Sequence, residues 1–130
     1  MIARKFSDLL FVLFVSIIIF IYSYYINQYA LLGDQYSYRK VYAELQYLSF
    51  KDAYLYYSIN LDSKEFVHFL LSWLASNLGI TKDIFISVSN SLLSSVVAIL
   101  MLRLNVLKII ILLILITSFY FNVLYFSAER

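Results

Sequence analysis

The sequence predicts an all-α, polytopic membrane protein with three transmembrane helices and a juxtamembrane helix on the outer face. Three observations carry that expectation. The 130 residues are 63% hydrophobic and only 14% charged, whereas soluble domains run near 45–50% apolar and about 25% charged. Proline is absent and glycine occurs only at Gly33 and Gly79, so little interrupts a helix. The apolar runs are continuous, and a membrane barrel would instead show alternating segments of about 10 residues. Residues 1–130 are read as a single membrane domain, with 28–65 as an external loop.

The same counts exclude several functions. Without cysteine there is no disulfide framework, zinc knuckle or thiol nucleophile. Two isolated glycines cannot build a nucleotide-binding loop. A formal net charge of +2 without a Lys/Arg cluster argues against nucleic acid. No cofactor is expected, and the bilayer is the first partner.

The first element follows from Arg4 and Lys5, which precede an apolar run from Leu9 to Ile26. At 1.5 Å per residue that run reaches about 27 Å, close to the hydrocarbon thickness. It ends in Tyr22, Tyr24 and Tyr25, an aromatic belt rather than the small-x-small site of a cleaved signal. The two bases place the N-terminus in the cytoplasm. The loop 28–65 then holds half of the formal charges, nearly balanced in sign, and many of the tyrosines. Within it Tyr38, Val41, Tyr42, Leu45 and Leu48 fall at helical spacing, which predicts a short amphipathic helix lying on the membrane.

Phe66 to Ile80 is apolar but reaches only about 22 Å, with Gly79 placed as a C-cap. Ile84 to Leu102 is long enough to span and carries Asn90 with Ser87, Ser89, Ser91, Ser94 and Ser95, the pattern of a helix packed on other helices. Ile109 to Phe126 is the most apolar run. If Phe66–Ile80 lies on the outer face, three spans put Arg103 and Lys108 in the cytoplasm, as the positive-inside rule favours. If it crosses, there are four.

The candidate chemistry follows the first span, in Gly33-Asp34-Gln35-Tyr36-Ser37-Tyr38-Arg39-Lys40. A carboxylate can act as general base toward a sugar hydroxyl. Arg39 or Lys40 can pair with phosphate, and tyrosines can stack on or hydrogen-bond a sugar. The plainer reading is a helix start, with Gly33-Asp34 as cap and charges resting on headgroups. Glu65 suits the N-terminus of an apolar helix. His68 shares its face, but one His and one Glu do not make a metal site. Trp73 reads as an interface anchor, Asn90 as a helix–helix hydrogen bond and Arg130 as a topological anchor.

The order Gly33-Asp34-x-x-x-Tyr38-x-x-x-Tyr42, then Glu65-Phe66, Trp73, Gly79-Ile80, Lys82-Asp83-x-Phe85 and the closing Ala128-Glu129-Arg130 resembles the EpsG family. These are bacterial exopolysaccharide and O-antigen polymerases similar to the Wzy polymerases. The resemblance runs from about Asn27 to Arg130 and covers the N-terminal part of the family. Unlike many members, the chain has no base between Ile26 and Leu32. Family polymerases are several times longer, so the resemblance implies a truncated or partial reading frame, inactive by itself.

The resemblance implies a glycosyltransferase of the bacterial cytoplasmic membrane. It would join polyprenyl-diphosphate-linked oligosaccharide repeats at the outer face, alongside other polysaccharide-export membrane proteins. Asp34 would be the catalytic base or the carboxylate that positions the acceptor, Arg130 the diphosphate contact, and Tyr38, Arg39 and Glu65 the substrate-binding lining. The alternative class is a non-enzymatic small membrane protein, an accessory subunit or pore former, in which the same residues are caps and anchors.

Overall fold

The computed structural model describes residues 2–29 and 34–117, with side chains for 6–29 and 36–117. These residues form six helices and no strand: α1 (Ile2–Tyr29), α2 (Asp34–Leu45), α3 (Phe50–Leu61), α4 (Phe66–Asn77), α5 (Lys82–Arg103) and α6 (Lys108–Thr117). They divide into two compact units. One contains α1, α5 from Ile86 onward and α6; the other runs from α2 through Phe85.

In the first unit, α1 and α5 are long and apolar enough to cross a membrane, over Phe6–Tyr29 and Lys82–Arg103. The polarity of this unit is inverted relative to a soluble protein. Leu9, Leu10, Leu13, Phe14, Ile17 and Ile21 of α1 are exposed, as are Leu92, Val96 and Leu100 of α5. Ser23, Asn27, Ser87, Asn90, Ser91 and Ser94 are buried. Asn90 Nδ2 donates to Ser23 Oγ at 2.8 Å, Asn27 Nδ2 donates to the same oxygen at 3.2 Å, and Ser91 Oγ donates to the Ser16 carbonyl at 2.8 Å. Small polar side chains let α1 and α5 approach closely and satisfy one another, as helices do where the surroundings offer no hydrogen bonds. The serine-rich pattern of α5 therefore has the packing role expected of it. Toward the other end, Val15, Ile19, Ala98, Ile111 and Leu115 form an apolar core.

The turn after α5 is closed by Asn105, at φ +59°. Its N–H donates to the Leu102 carbonyl, and that of Val106 donates to the Met101 carbonyl. This is a Schellman cap built on asparagine, the residue that most readily replaces glycine in the left-handed region. Lys108 then pairs with Asp8 at 2.9 Å and donates to Ser7 at 2.7 Å, tying the start of α6 to the start of α1. Ten residues of α6 are described. The remainder of the expected third span lies outside the described residues.

The second unit differs from the expected loop. Residues 28–65 hold two helices rather than one, and α2 packs on both α3 and α4. The amphipathic stripe falls where its spacing put it, but Val41, Tyr42 and Leu45 are buried against protein and not laid on lipid. The reason is α3. Ser49 caps it, its hydroxyl 3.4 Å from the Asp52 N–H and donating to the Asp52 carboxylate at 2.6 Å. The helix then brings Ala53 and Tyr57 onto Val41, Leu45 and Phe69. Phe69 is fully buried and ringed by Phe50, Tyr54 and Tyr57, with centroids at 5.0–5.5 Å. Trp73, expected as an interface anchor, instead packs edge-on against Phe50 at 5.2 Å.

Helix α4 spans 12 residues, about 18 Å, too short to cross a bilayer. It ends as expected at Gly79, φ +72°, with Gly79 N–H donating to Ser76 and Ile80 N–H to Ala75. That glycine relieves the strain a side chain would meet in this conformation. Its opposite face leaves Val67, Leu71, Leu74 and Leu78 exposed in one continuous stripe.

Candidate functional site

The turn at Gly79 delivers Thr81, Lys82 and Asp83 to the face of α2 that carries Arg39 and Tyr42. Tyr42 anchors the junction from both sides. Its hydroxyl donates to the Ile80 carbonyl at 2.8 Å, and its own carbonyl accepts from Ser76 Oγ at 2.9 Å. Its ring stacks on Phe85 at 6.0 Å. Burial pushes the Tyr42 hydroxyl up to about 12, so it stays a protonated donor across the physiological range. Arg39 forms an ion pair with Asp83. Thr81 starts α5, its hydroxyl facing the Ile84 N–H at 3.4 Å.

Around this junction lies a pocket of about 280 Å³, lined by Arg39, Tyr42, Gln46, Ser76, Thr81 and Lys82 among others. That is near the lower end of small-molecule sites, roughly 300–1,000 Å³. It suits a phosphate group or a single sugar ring better than a long chain. Lys82 is 93% buried, and its ammonium lies 5.3 Å from the centre of the Tyr38 ring, a cation–π arrangement. Arg39 and Lys82 thus bring two cationic side chains to the pocket lining, with Arg39 ion-paired to Asp83. Cationic and hydroxyl side chains together can hydrogen-bond an anionic or hydroxylated group.

Beneath the pocket is a second polar pair. Tyr57 OH and His68 Nδ1 are hydrogen-bonded at 2.7 Å, and the His68 ring lies 6.4 Å from Phe85. His68 Nε2 and Trp73 Nε1 are buried without a hydrogen-bond partner. Burial holds the His68 imidazole below its ordinary value of 6.5. Lys82 adds to that effect and Glu65 opposes it. The ring is accordingly neutral at physiological pH.

The site residues expected from sequence fare differently. Arg39 lines the pocket, whereas Tyr38 is outside its lining and meets it only through the Lys82 ammonium over its ring. Glu65 occupies the N-cap position of α4 but makes no side-chain cap hydrogen bond. It is exposed and is not among the pocket's lining residues. The capping role considered for it is thus reduced to charge near the helix start. Asp34 begins α2, and its side chain lies outside the described ones; Arg130 lies outside the described residues altogether. Sequence reasoning gave no site role to Lys82, Asp83 or Tyr42, although Lys82-Asp83-x-Phe85 and Tyr42 stood among the motifs and Tyr42 in the amphipathic stripe. The usable signal was two adjacent charges directly after a glycine-capped apolar helix.

The fold and this pocket define a class: a helical protein with two helices long and apolar enough to span a bilayer, and a small pocket lined by Arg39, Tyr42 and Lys82 in its other helical unit. Comparison with protein-family models, with curated proteins and with solved structures yields no match to the chain.

Proposed function

We propose that the chain is part of a bacterial polysaccharide polymerase resembling the EpsG and Wzy enzymes, which transfers glycosyl units between polyprenyl-diphosphate-linked oligosaccharides. One observation carries this reading: Tyr42 and Lys82, far apart in sequence and each a motif residue of the resemblance, line one pocket with Arg39 beside them. In the reaction a sugar hydroxyl attacks the anomeric carbon, the carbon–oxygen bond to diphosphate breaks, and the lipid diphosphate departs. Asp34 takes the hydroxyl proton. Arg39 and Lys82 neutralise the developing diphosphate charge, with Arg130 as a further contact. Tyr38 flanks Lys82 through its ring, and Glu65 stands outside the pocket lining. Neighbouring polysaccharide-export membrane proteins would be its partners.

The site faces the outside of the cytoplasmic membrane in this reading, and α1, α5 and α6 are the three spans. Arg4 and Lys5 set the direction of α1. Helices α2, α3 and α4 have 12 residues each, too short to cross, so the chain between α1 and α5 stays on one side. The Lys108–Asp8 pair supports the return of α5 to the side where α1 begins. Helix α4 would rest its Val67–Leu71–Leu74–Leu78 stripe on the outer leaflet.

The test is binding, which does not require turnover. The chain is reconstituted in phosphatidylcholine nanodiscs and titrated with a polyprenyl diphosphate, using Trp73 fluorescence as reporter. Saturable binding is expected, weakened about 10- to 100-fold by Lys82→Gln, the range of a lost charge-assisted hydrogen bond. Absence of binding, or equal binding by Lys82→Gln, overturns the proposal.

A further inference from the structure

A second pocket, of about 410 Å³, lies within the first unit where α5 gives way to α6, lined by Asp8, Leu102, Asn105, Val106, Leu107 and Lys108. One wall is apolar and one edge is charged. The Schellman turn at Asn105 sets Leu104 and Leu107 on the outside, 76% and 66% exposed. Two long apolar side chains exposed beside an ion pair are awkward in water and well placed at the boundary between hydrocarbon and headgroups. That boundary falls here independently, because the pocket lies where α5 ends and close to the start of α1, the two helices long enough to span.

The charge at this end is basic. Asp8, the one carboxylate lining the pocket, is already held by Lys108 at 2.9 Å. Lys108 spends a second N–H on Ser7 at 2.7 Å and sits 5.7 Å from the centre of the Phe11 ring. An ammonium has three N–H groups, so one remains for a ligand. Arg103, in the last turn of α5 and next in sequence to the lining Leu102, is exposed at the pocket's outside rather than part of its lining, with no side-chain partner among the described residues. Arg4 and Lys5 precede Asp8 by about one turn of α1.

We propose that this pocket seats the phosphodiester headgroup of an anionic phospholipid, with Lys108 and Arg103 on the phosphate and Leu102, Val106 and Leu107 along the glycerol and upper acyl chains. A zwitterionic amine headgroup would need a free carboxylate for its ammonium, and Asp8 is occupied. A lone phosphodiester needs only the cations, each worth about fivefold in binding near a bilayer surface. The site is separate from the sugar pocket and does not depend on the polymerase reading.

The full chain is reconstituted in an equimolar mixture of phosphatidylglycerol, phosphatidylethanolamine and phosphatidylcholine, and the lipids retained on release are counted by native mass spectrometry. Preferential retention of phosphatidylglycerol is expected. Arg103→Gln, which removes no described contact, should lower that retention about fivefold. Asp8→Asn frees Lys108 from its ion pair and should raise it, whereas a purely structural Lys108–Asp8 pair would make the same variant lose lipid. Equal retention of the three lipids, a preference for phosphatidylethanolamine, no change with Arg103→Gln, or a loss with Asp8→Asn each overturns the proposal.

Discussion

The Arg39–Asp83 pair offers a way to separate holding the fold from holding a ligand. The two side chains retain 26% and 20% of their exposure, between the surface and buried limits. Exposed pairs are worth about 0.2–1 kcal/mol, and stranding one partner of a fully buried pair costs about 3–5 kcal/mol. For Arg39→Gln, solvent screening brings the expected loss to about 1–2 kcal/mol. Asp83 stands in the first turn of α5, where the helix dipole recovers part of that for the stranded carboxylate. Asp83→Asn should cost a similar amount by removing the carboxylate that Arg39 pairs with. The double variant removes both charges together and should recover about 1 kcal/mol of the combined loss, the coupling expected of a contacting pair. Trp73, the only tryptophan, packs on Phe50, so its fluorescence during denaturant titration in mild detergent reports on this unit. Polyprenyl diphosphate binding is measured on the same proteins. Arg39→Gln and the double variant should both bind poorly, while Asp83→Asn binds at least as well as the parent. Strictly additive losses of stability would refute the pair. Binding restored together with stability in the double variant would refute Arg39 as a ligand group.

Three further outcomes are expected. Because burial depresses the His68 imidazole below 6.5, the unfolded chain binds the proton more readily. Stability should therefore fall as pH drops below about 6.5 toward the folded value, by up to about 1.4 kcal/mol per pH unit, and be insensitive to this group above 6.5. The difference between parent and His68→Gln in Trp73-detected unfolding isolates that slope, and identical pH profiles would contradict it. Ser23→Ala removes the acceptor of both Asn27 and Asn90 and should destabilise the α1–α5 contact by about 1 kcal/mol, read by unfolding in detergent; a neutral result would mean the two amides find other partners. In intact spheroplasts an impermeant thiol reagent should label Tyr47→Cys, at a position 77% exposed, and reach Leu104→Cys, 76% exposed, only after lysis. Labelling of Leu104→Cys without lysis would require four crossings.

The long helices were legible because what defines them is local. Leu9–Ile26 and Ile84–Leu102 are apolar at nearly every position, and α1 and α5 contain them with only a few residues added at the ends. The Ser/Asn content of α5 announced a packed helix for the same reason, since any small polar group placed there needs a partner. The cap at Gly79 was likewise a property of one residue. Helix α3 escaped notice because its tyrosines and charges show no clear period, and it folds by burying Ala53 and Tyr57 on α2 and α4. That same packing turned the α2 stripe from lipid to protein. At the site, Arg39 and Tyr42 were readable as neighbours three apart on one helix face. The partnership of Arg39 with Asp83, 44 residues away, and the burial of Lys82 over Tyr38 were not. Composition and spacing determined which segments are helical and which are apolar enough to span. Which polar side chains meet depends on how short helices pack, and that is set by contacts distant in sequence that no local pattern encodes.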